Sequence, residues 1–252
     1  NISLPYYLET ERNIHEFRSV DIARIFETER YLPRIAEEIK KASPGAVAVS
    51  LPAFIGINNY SAIRKKLCEM TGKFIYEIPV LPPSILGLRI DHALKNSFIS
   101  LGGEYIAGDK AVSGFITNNS VEFLSTSNSG NVPLDSRFYV LATGSFFSGG
   151  LMAGYERISE PLLDLKIKSE KNRNRWYSDK FFDRKSHPFL GFGVETDNNL
   201  SPFTQNGKIV KNLLCAGSVL SGYNPVKEGC GGGVAISTGF KCAERIIREL
   251  KK

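Results

Sequence analysis

The residues with the clearest chemical meaning lie in "PVKEGCGGGVAIS", 225–237, where Gly231, Gly232 and Gly233 stand directly before the apolar pattern of a helix. A helix N-terminus presents unpaired N–H groups and about half a positive charge. With glycines there, no side chain keeps a phosphate or another electron-rich oxygen away from those amides. A tight strand-to-helix turn without a ligand would also use glycine, but three in succession exceed what such a turn needs. Lys227 beside the loop offers a point charge for a phosphate, and Arg89, on the helix that follows "LPPS", offers either a bidentate fork or a surface salt bridge. His187 in "RKSHPFLGFG" is either an acid or base working near neutral pH or a loop histidine facing solvent. Cys230 either gains reactivity from the helix N-terminus or packs as a small apolar side chain.

The glycines exclude two phosphate motifs. With Gly229 and Gly231 in place, G-x-G-x-x-G fails at Val234, and no G-K-[ST] follows to make a P-loop. A flavin fits better, because its N1–C2=O edge becomes negative on reduction and a helix N-terminus stabilises that charge. The four cysteines form no CxxC pair and no metal-ligand cluster with the three histidines, so no metal is expected, and reduced thiols of a cytosolic protein fit the pattern.

Positioning these groups requires an alternation of strands and helices. "FRSVDIARIFETERYLPRIAEEIKKAS" has helical apolar spacing broken at Pro33, which predicts two amphipathic helices. "GAVAVSLPAFIG" reads as a strand buried on both faces, "NYSAIRKKLCEM" as a helix and "FIYEIPVL" as a second strand, together a small parallel α/β unit. A helix capped by Ser84 runs to Gly102–Gly103, and 104–130 alternates like an antiparallel meander. "FYVLATG" and "NLLCAGS" are buried strands that each end in a glycine turn, and the last helix, from about Gly232 to Leu250, carries Val234, Ile236, Phe240, Ala243, Ile246, Ile247 and Leu250 on one broad face.

The 252 residues are 42% hydrophobic and 23% charged, ordinary values for a globular protein of one large or two interleaved domains. No run of about 18 apolar residues exists to span a membrane. The net charge of +6 concentrates in 164–185, which holds eight Lys or Arg against four acids. Its aromatics Trp176, Tyr177, Phe181 and Phe182 are compatible with base stacking, but no nucleic-acid fold signature accompanies them. A solvated loop with aromatics packed beneath, or a docking surface for a partner or anionic lipid, are the other readings. The start at Asn1 carries neither an initiator Met nor a signal sequence, which suggests that the chain begins inside a longer protein.

"FYVLATGSFFSGGLMA", "GFGVETDNNLSPF", "VLPPSILGLRIDHAL" and "NLLCAGSVLSGYNPVKEGCGGGVAISTGFKCAERI" resemble the B subunit of the anaerobic glycerol-3-phosphate dehydrogenases, a likeness that runs over nearly the whole chain. The resemblance implies an α/β flavoprotein related to the succinate dehydrogenase and fumarate reductase flavin subunits: part of a Rossmann-like FAD/NAD(P)-binding domain with an inserted α/β cap domain and an antiparallel β meander. The divisions expected are 1–87 for the cap, 88–155 for the middle of the flavin domain, 156–205 for the basic loop and return strand, and 206–252 for the last strand and helix. Carried onto this sequence, the family's flavin contacts fall on Thr143, Gly144, Ser145, Gly217, Ser218, Gly231, Gly232, Gly233 and Val234. Related FAD enzymes usually place an acid after "AG" to bond the ribityl chain; here that residue is Ser218.

The family's opening strand and glycine-rich turn, which hold the cofactor phosphates, have no counterpart here, so the chain looks like the C-terminal part of its family's fold. Weak binding of FMN, or FAD, by the chain alone is expected. The resemblance further implies oxidation of glycerol 3-phosphate to dihydroxyacetone phosphate, or relay of its electrons, toward a membrane quinone pool. Lys227 and Arg89 are the candidate phosphate ligands and His187 the candidate acid or base. Partners would be the FAD-containing dehydrogenase subunit (the A component) and the iron–sulfur membrane-anchor subunit (the C component), with the protein cytoplasmic and peripheral to the inner face of the cell membrane. A cofactor-free assembly module and a flavoenzyme for another hydroxy acid are the alternatives.

Overall fold

A computed structural model describes residues 18–81, 84–130 and 132–251. The chain divides into two compact units, the first ending at Ile106 and the second beginning at Ala107.

In the first unit, α1 (Ser19–Glu27) and α2 (Leu32–Ala42) are the two expected helices, but the break between them falls before Pro33, which sits in the first turn of α2. That position suits proline, whose missing N–H would have had no intrahelical acceptor there. The α2 stripe Leu32, Ile35, Ala36 and Ile39 is buried against Phe26, Leu51, Ile63, Leu67 and Ile75. Strand β1 (Ala48–Pro52) runs parallel to β2 (Phe74–Ile78), and α3 (Tyr60–Thr71) connects them, ending at Gly72 in the left-handed conformation. Contrary to the expected strand buried on both faces, only Leu51 of β1 is buried, and Phe74, Tyr76 and Ile78 of β2 are exposed. The sheet has two strands and its helices cover one face, so alternate side chains remain outside.

Helix α4 (Ile85–Ser100) starts at Ser84, whose Oγ accepts the Gly87 amide. Ile85 and Leu88 pack with Ala23 and Ile57. This packing keeps α4 in the first unit, and the division falls after Ile106 rather than at 87.

The second unit opens with an antiparallel hairpin, β3 (Ala111–Thr117) and β4 (Ser120–Thr126). Asn118 and Asn119 turn it with φ of 52° and 62°, the left-handed pair that a two-residue hairpin loop needs and that asparagine tolerates. A single bridge from Leu124 to Leu134 extends the hairpin, so the meander is two strands and a bridge. Strand β5 (Tyr139–Leu141) follows. Two antiparallel pairs come next: β6 (Met152–Ala153) with β7 (Ile158–Ser159), and β8 (Ile167–Lys168) with β9 (Gly193–Val194). Strand β10 (Leu213–Cys215) returns parallel to β5, and α5 (Pro225–Glu228) and α6 (Gly231–Leu250) complete the chain.

Helix α6 packs differently from its pattern. Cys242 is its buried residue, with Ile246 beside it against Leu214 and Ala216. Ile236, Phe240, Ile247 and Leu250, expected on the core face, are exposed. The face toward β10 is instead lined by small residues, Ala235, Thr238, Gly239 and Cys242, which let the helix lie close to the strand end. In the basic region, Trp176 is buried with Nε1 donating to the Glu170 carbonyl, while Tyr177, Phe181 and Phe182 are exposed. Its aromatics therefore pack beneath the loop at one position and face solvent at three.

Candidate functional site

The site is built on the parallel pair. Leu213, Leu214 and Cys215 register with Tyr139, Val140 and Leu141, so both strands deliver their carboxyl ends to one place. Side-chain bonds hold this register: Asn212 Oδ1 accepts the Val121 amide and its Nδ2 donates to the Val121 carbonyl, while Tyr139 Oη accepts the Ser136 amide and donates to the Glu122 carbonyl. In open α/β sheets ligands bind just outside such carboxyl ends.

Each strand turns there on a left-handed glycine, Gly144 at φ 83° and Gly217 at φ 72°. A Cβ on Gly144 would lie 2.6 Å from Ser148 Cβ, and one on Gly150 would overlap the Gly144 carbonyl oxygen. The segment Ser145–Gly150 thus folds directly back on the Thr143–Gly144 turn, with the Gly150 amide donating to the Ser145 carbonyl. The Gly217 amide donates to Thr238 Oγ1 at 2.9 Å, which ties the second turn to α6.

Between these turns and α6 runs an open groove of about 420 Å³. Thr143, Gly144, Ser148, Gly217, Ser218, Ala235 and Gly239 are among the residues that line it, all small. The groove therefore brings Thr143, Gly144, Gly217 and Ser218 of the expected contacts together, while Ser145 is the next residue along the first turn. Ser148, Ala235 and Gly239 were not anticipated; a glycine inside the helical pattern "VAISTGFKC" is the signal that marks the last of them.

Gly231, Gly232 and Gly233 form the first turn of α6, one turn before Ala235. Their amides have no intrahelical acceptor by the geometry of a helix start, and Cys230 gives no side-chain cap. A Cβ on Gly232 or Gly233 would meet no atom of the chain within 4 Å. Val234 differs from these three, because its amide donates to the Cys230 carbonyl and is not available as a donor. Small walls, two strand ends and a glycine-led helix start fit a flat cofactor that approaches the backbone closely, as a flavin ring does.

Cys230 is held away from reactivity. Partial burial, and then the Glu228 carboxylate 3.5 Å from its sulfur, push the thiol above its ordinary value, opposite to the expected effect of the helix start. Lys227 is exposed on α5, whose start is capped by Asn224 Oδ1 accepting the Val226 and Lys227 amides. His187 has both ring nitrogens in use within the basic loop: Nδ1 accepts the Ser178 amide at 3.1 Å and Nε2 meets the Phe181 carbonyl at 2.9 Å. Proton transfer by this ring requires one of those bonds to open.

Arg89 lies in the first unit and is committed there. Its guanidinium donates to both Glu77 carboxylate oxygens and twice to the Gly56 carbonyl, and it stacks over Tyr60. Glu77 also accepts the Ile55 amide, and Glu27 accepts the amides of Ile57, Asn58 and Asn59. The expected surface bridge or phosphate fork is thus an internal ion pair, with side chains 14% and 5% exposed, that fixes the loop after β1.

Among the described residues no group of His, Cys, Asp and Glu is placed to hold a metal, and no helix is long and apolar enough to cross a membrane. No solved structure matches the chain. Proteins named as the B subunit of anaerobic glycerol-3-phosphate dehydrogenase are similar to it: 40% identical over 247 residues in Vibrio cholerae serotype O1 (98% of this chain, 56% of the relative). The corresponding protein of Aliivibrio fischeri strain MJ11 is 38% identical over 262 residues (100% and 57%), and that of Yersinia pestis bv. Antiqua 40% over 249 residues (99% and 58%). The chain thus spans little more than half the length of these relatives. The pattern of the FAD binding domain family matches residues 6–234, a span that contains both glycine turns and the start of α6, and the chain belongs to that family.

Proposed function

We propose that the groove beyond β5 and β10 seats the ring of a flavin in one component of a glycerol-3-phosphate dehydrogenase. The observation that supports this most strongly is the meeting of two parallel strand ends, each turned on a left-handed glycine, beside a glycine-led helix start. The names of the relatives support the substrate. Bound flavin, FMN or FAD, supplies hydride acceptance from the C2 carbinol, leaving dihydroxyacetone phosphate and electrons for a quinone.

The chain's own part is positional. The amides of Gly231, Gly232 and Gly233 stabilise an electron-rich ring oxygen; such bonds to a charged acceptor contribute about 1.5–3 kcal/mol each. Thr143, Ser145 and Ser218 offer short hydroxyls, with Ser218 in place of the acid that related enzymes direct at the ribityl chain. Lys227 is the cation nearest in sequence to the helix start and the candidate for the substrate phosphate; Arg89 is spent on Glu77. His187 staples the basic loop through Ser178 and Phe181. Binding of flavin by the chain alone is weak, and the working assembly contains the FAD-bearing dehydrogenase component and the iron–sulfur component that holds it at the inner face of the cell membrane.

The test is to purify the native gene product with and without its associated components and to measure bound FMN and FAD and their bleaching by glycerol 3-phosphate. Flavin that bleaches supports the proposal. Absence of flavin from both preparations contradicts it and favours a cofactor-free assembly module, a reading to which the exposed apolar stripe Ile236, Phe240, Ile247 and Leu250 lends support. Bleaching by a different hydroxy acid alone reassigns the substrate.

A further inference from the structure

Ser218 lines a second, smaller opening of about 150 Å³, walled by Phe146, Phe189, Phe192, Leu220 and Tyr223. Its character is aromatic: Phe146 and Phe189 meet edge to face at 5.9 Å, and Phe192 meets Trp176 edge to face at 6.4 Å. An apolar cavity of about 150 Å³ accommodates one benzene-sized ring. The Tyr223 hydroxyl is buried in this wall and has no hydrogen-bond partner. Such orphans are uncommon because burial removes water without replacing its bond. Burial, and then the proximity of Cys230, push the phenol above its ordinary value, so Oη keeps its proton and remains a donor.

We propose that this pocket takes a single six-membered ring bearing a carbonyl oxygen, with Tyr223 Oη donating to that oxygen and Phe146, Phe189 and Phe192 packing on the ring. The aromatic walls supply contact area for a flat ring, and the one unsatisfied donor selects an acceptor on its edge. Two sources share this chemistry, the carbonyl edge of a flavin ring and the head ring of a separate quinone-like compound. The assignment stands on the pocket and the orphaned hydroxyl and does not depend on the groove holding flavin.

The probe is tetramethyl-1,4-benzoquinone, whose fully substituted ring gives Cys230 no position to add to, with durene as the same ring without carbonyls. Trp176 is the chain's one tryptophan and touches the pocket wall, so quenching of its fluorescence reports the quinone, and ligand-observed NMR reports both compounds. The expected results are quinone binding that Tyr223→Phe weakens about fivefold, the equivalent of one ordinary hydrogen bond, and durene binding that it leaves unchanged. The infrared carbonyl stretch of the bound quinone moves down in the native protein and returns toward its free value in Tyr223→Phe, which a packing role would not produce. Removing the orphaned hydroxyl also raises the melting temperature of the free protein, so this variant folds. Val226→Trp, at an exposed position of the same wall, blocks both compounds.

Competition between FMN and the quinone assigns the pocket to the flavin ring; independent binding assigns it to a separate ring. Gly239→Leu, which fills the flavin groove, separates the two hypotheses, because quinone binding survives in it whether or not flavin binding was ever present. Equal quinone affinity in the native protein and Tyr223→Phe overturns the assignment, as does a native protein that binds the quinone no better than Val226→Trp.

Discussion

Gly239 offers the sharpest perturbation of the groove. It lies inside α6 with an ordinary negative φ, lines the groove, and a Cβ there would meet no atom within 4 Å. A glycine in a helix interior costs about 0.8–1.0 kcal/mol relative to alanine, and nothing in the surrounding protein requires its absence of a side chain. Gly239→Ala should therefore stabilise the second unit by about that amount, raising its melting temperature by about 2–4 °C for a body of this size. Gly239→Leu keeps most of the helix-propensity gain but places a branched side chain across the groove. We expect it to unfold no earlier than the native protein and to lose at least about tenfold in flavin affinity, the effect of roughly 1.4 kcal/mol of steric conflict. Thermal unfolding by circular dichroism and flavin anisotropy on the same preparations read both effects. A Gly239→Ala protein that melts earlier would refute the open surroundings, and Gly239→Leu with native flavin affinity would refute the groove as the ring's seat.

Other consequences are independent of flavin. Arg89→Ala leaves Glu77 buried without its cation and should cost about 3–5 kcal/mol, measured by urea unfolding; a loss below about 1 kcal/mol would show that the pair is dispensable. Asp109 accepts from Thr126 Oγ1 first, and from Ser127 Oγ and the Lys110 and Asn128 amides, which hold its carboxyl at about 2. Because the folded value lies below the unfolded one of about 3.9, its stabilising contribution is complete above that pH and disappears as pH falls through about 2. A carbon-detected NMR titration checks this, and Asp109→Asn should erase the hairpin's acid response in that window; a carboxyl titrating near 4 contradicts it. Cys230, with its thiol pushed up, should react with iodoacetamide at pH 7 more slowly than a free cysteine, and faster reaction would restore the helix-start activation that its surroundings oppose.

What was readable in the sequence follows from how local each feature is. The turns after β5 and β10 and the start of α6 depend on glycine at fixed places in the chain, and their positions were legible from "ATG", "CAGS" and "GCGGG". The connection β1–α3–β2 was legible for the same reason. The partners of Arg89 were not, since Glu77 and Gly56 come to it only once α4 packs under the loop after β1. His187 likewise meets Ser178 and Phe181 through the fold of an irregular loop. The periodicity of α6 identified a helix but not the face that packs. Small residues carry little weight in an apolar pattern, yet Ala235, Thr238 and Gly239 define the face toward β10, and the large side chains point outward. Gly150 illustrates the same limit: its need to be glycine comes from the Gly144 carbonyl occupying the place where its Cβ would be, a contact invisible in "FFSGG".

The central claim is that the strand ends of β5 and β10 and the first turn of α6 form one flavin-binding surface. Amide-resolved NMR of the 252-residue chain during a titration with FMN into the millimolar range tests it most directly, since weak binding suffices for the signal. Shifts are expected to concentrate at Thr143–Ser148, Gly217–Ser218 and Gly231–Gly239, with the Gly232 and Gly233 amides moving most. Shifts confined to other residues, or an unchanged spectrum for these amides both in the chain alone and in its native assembly, would contradict it.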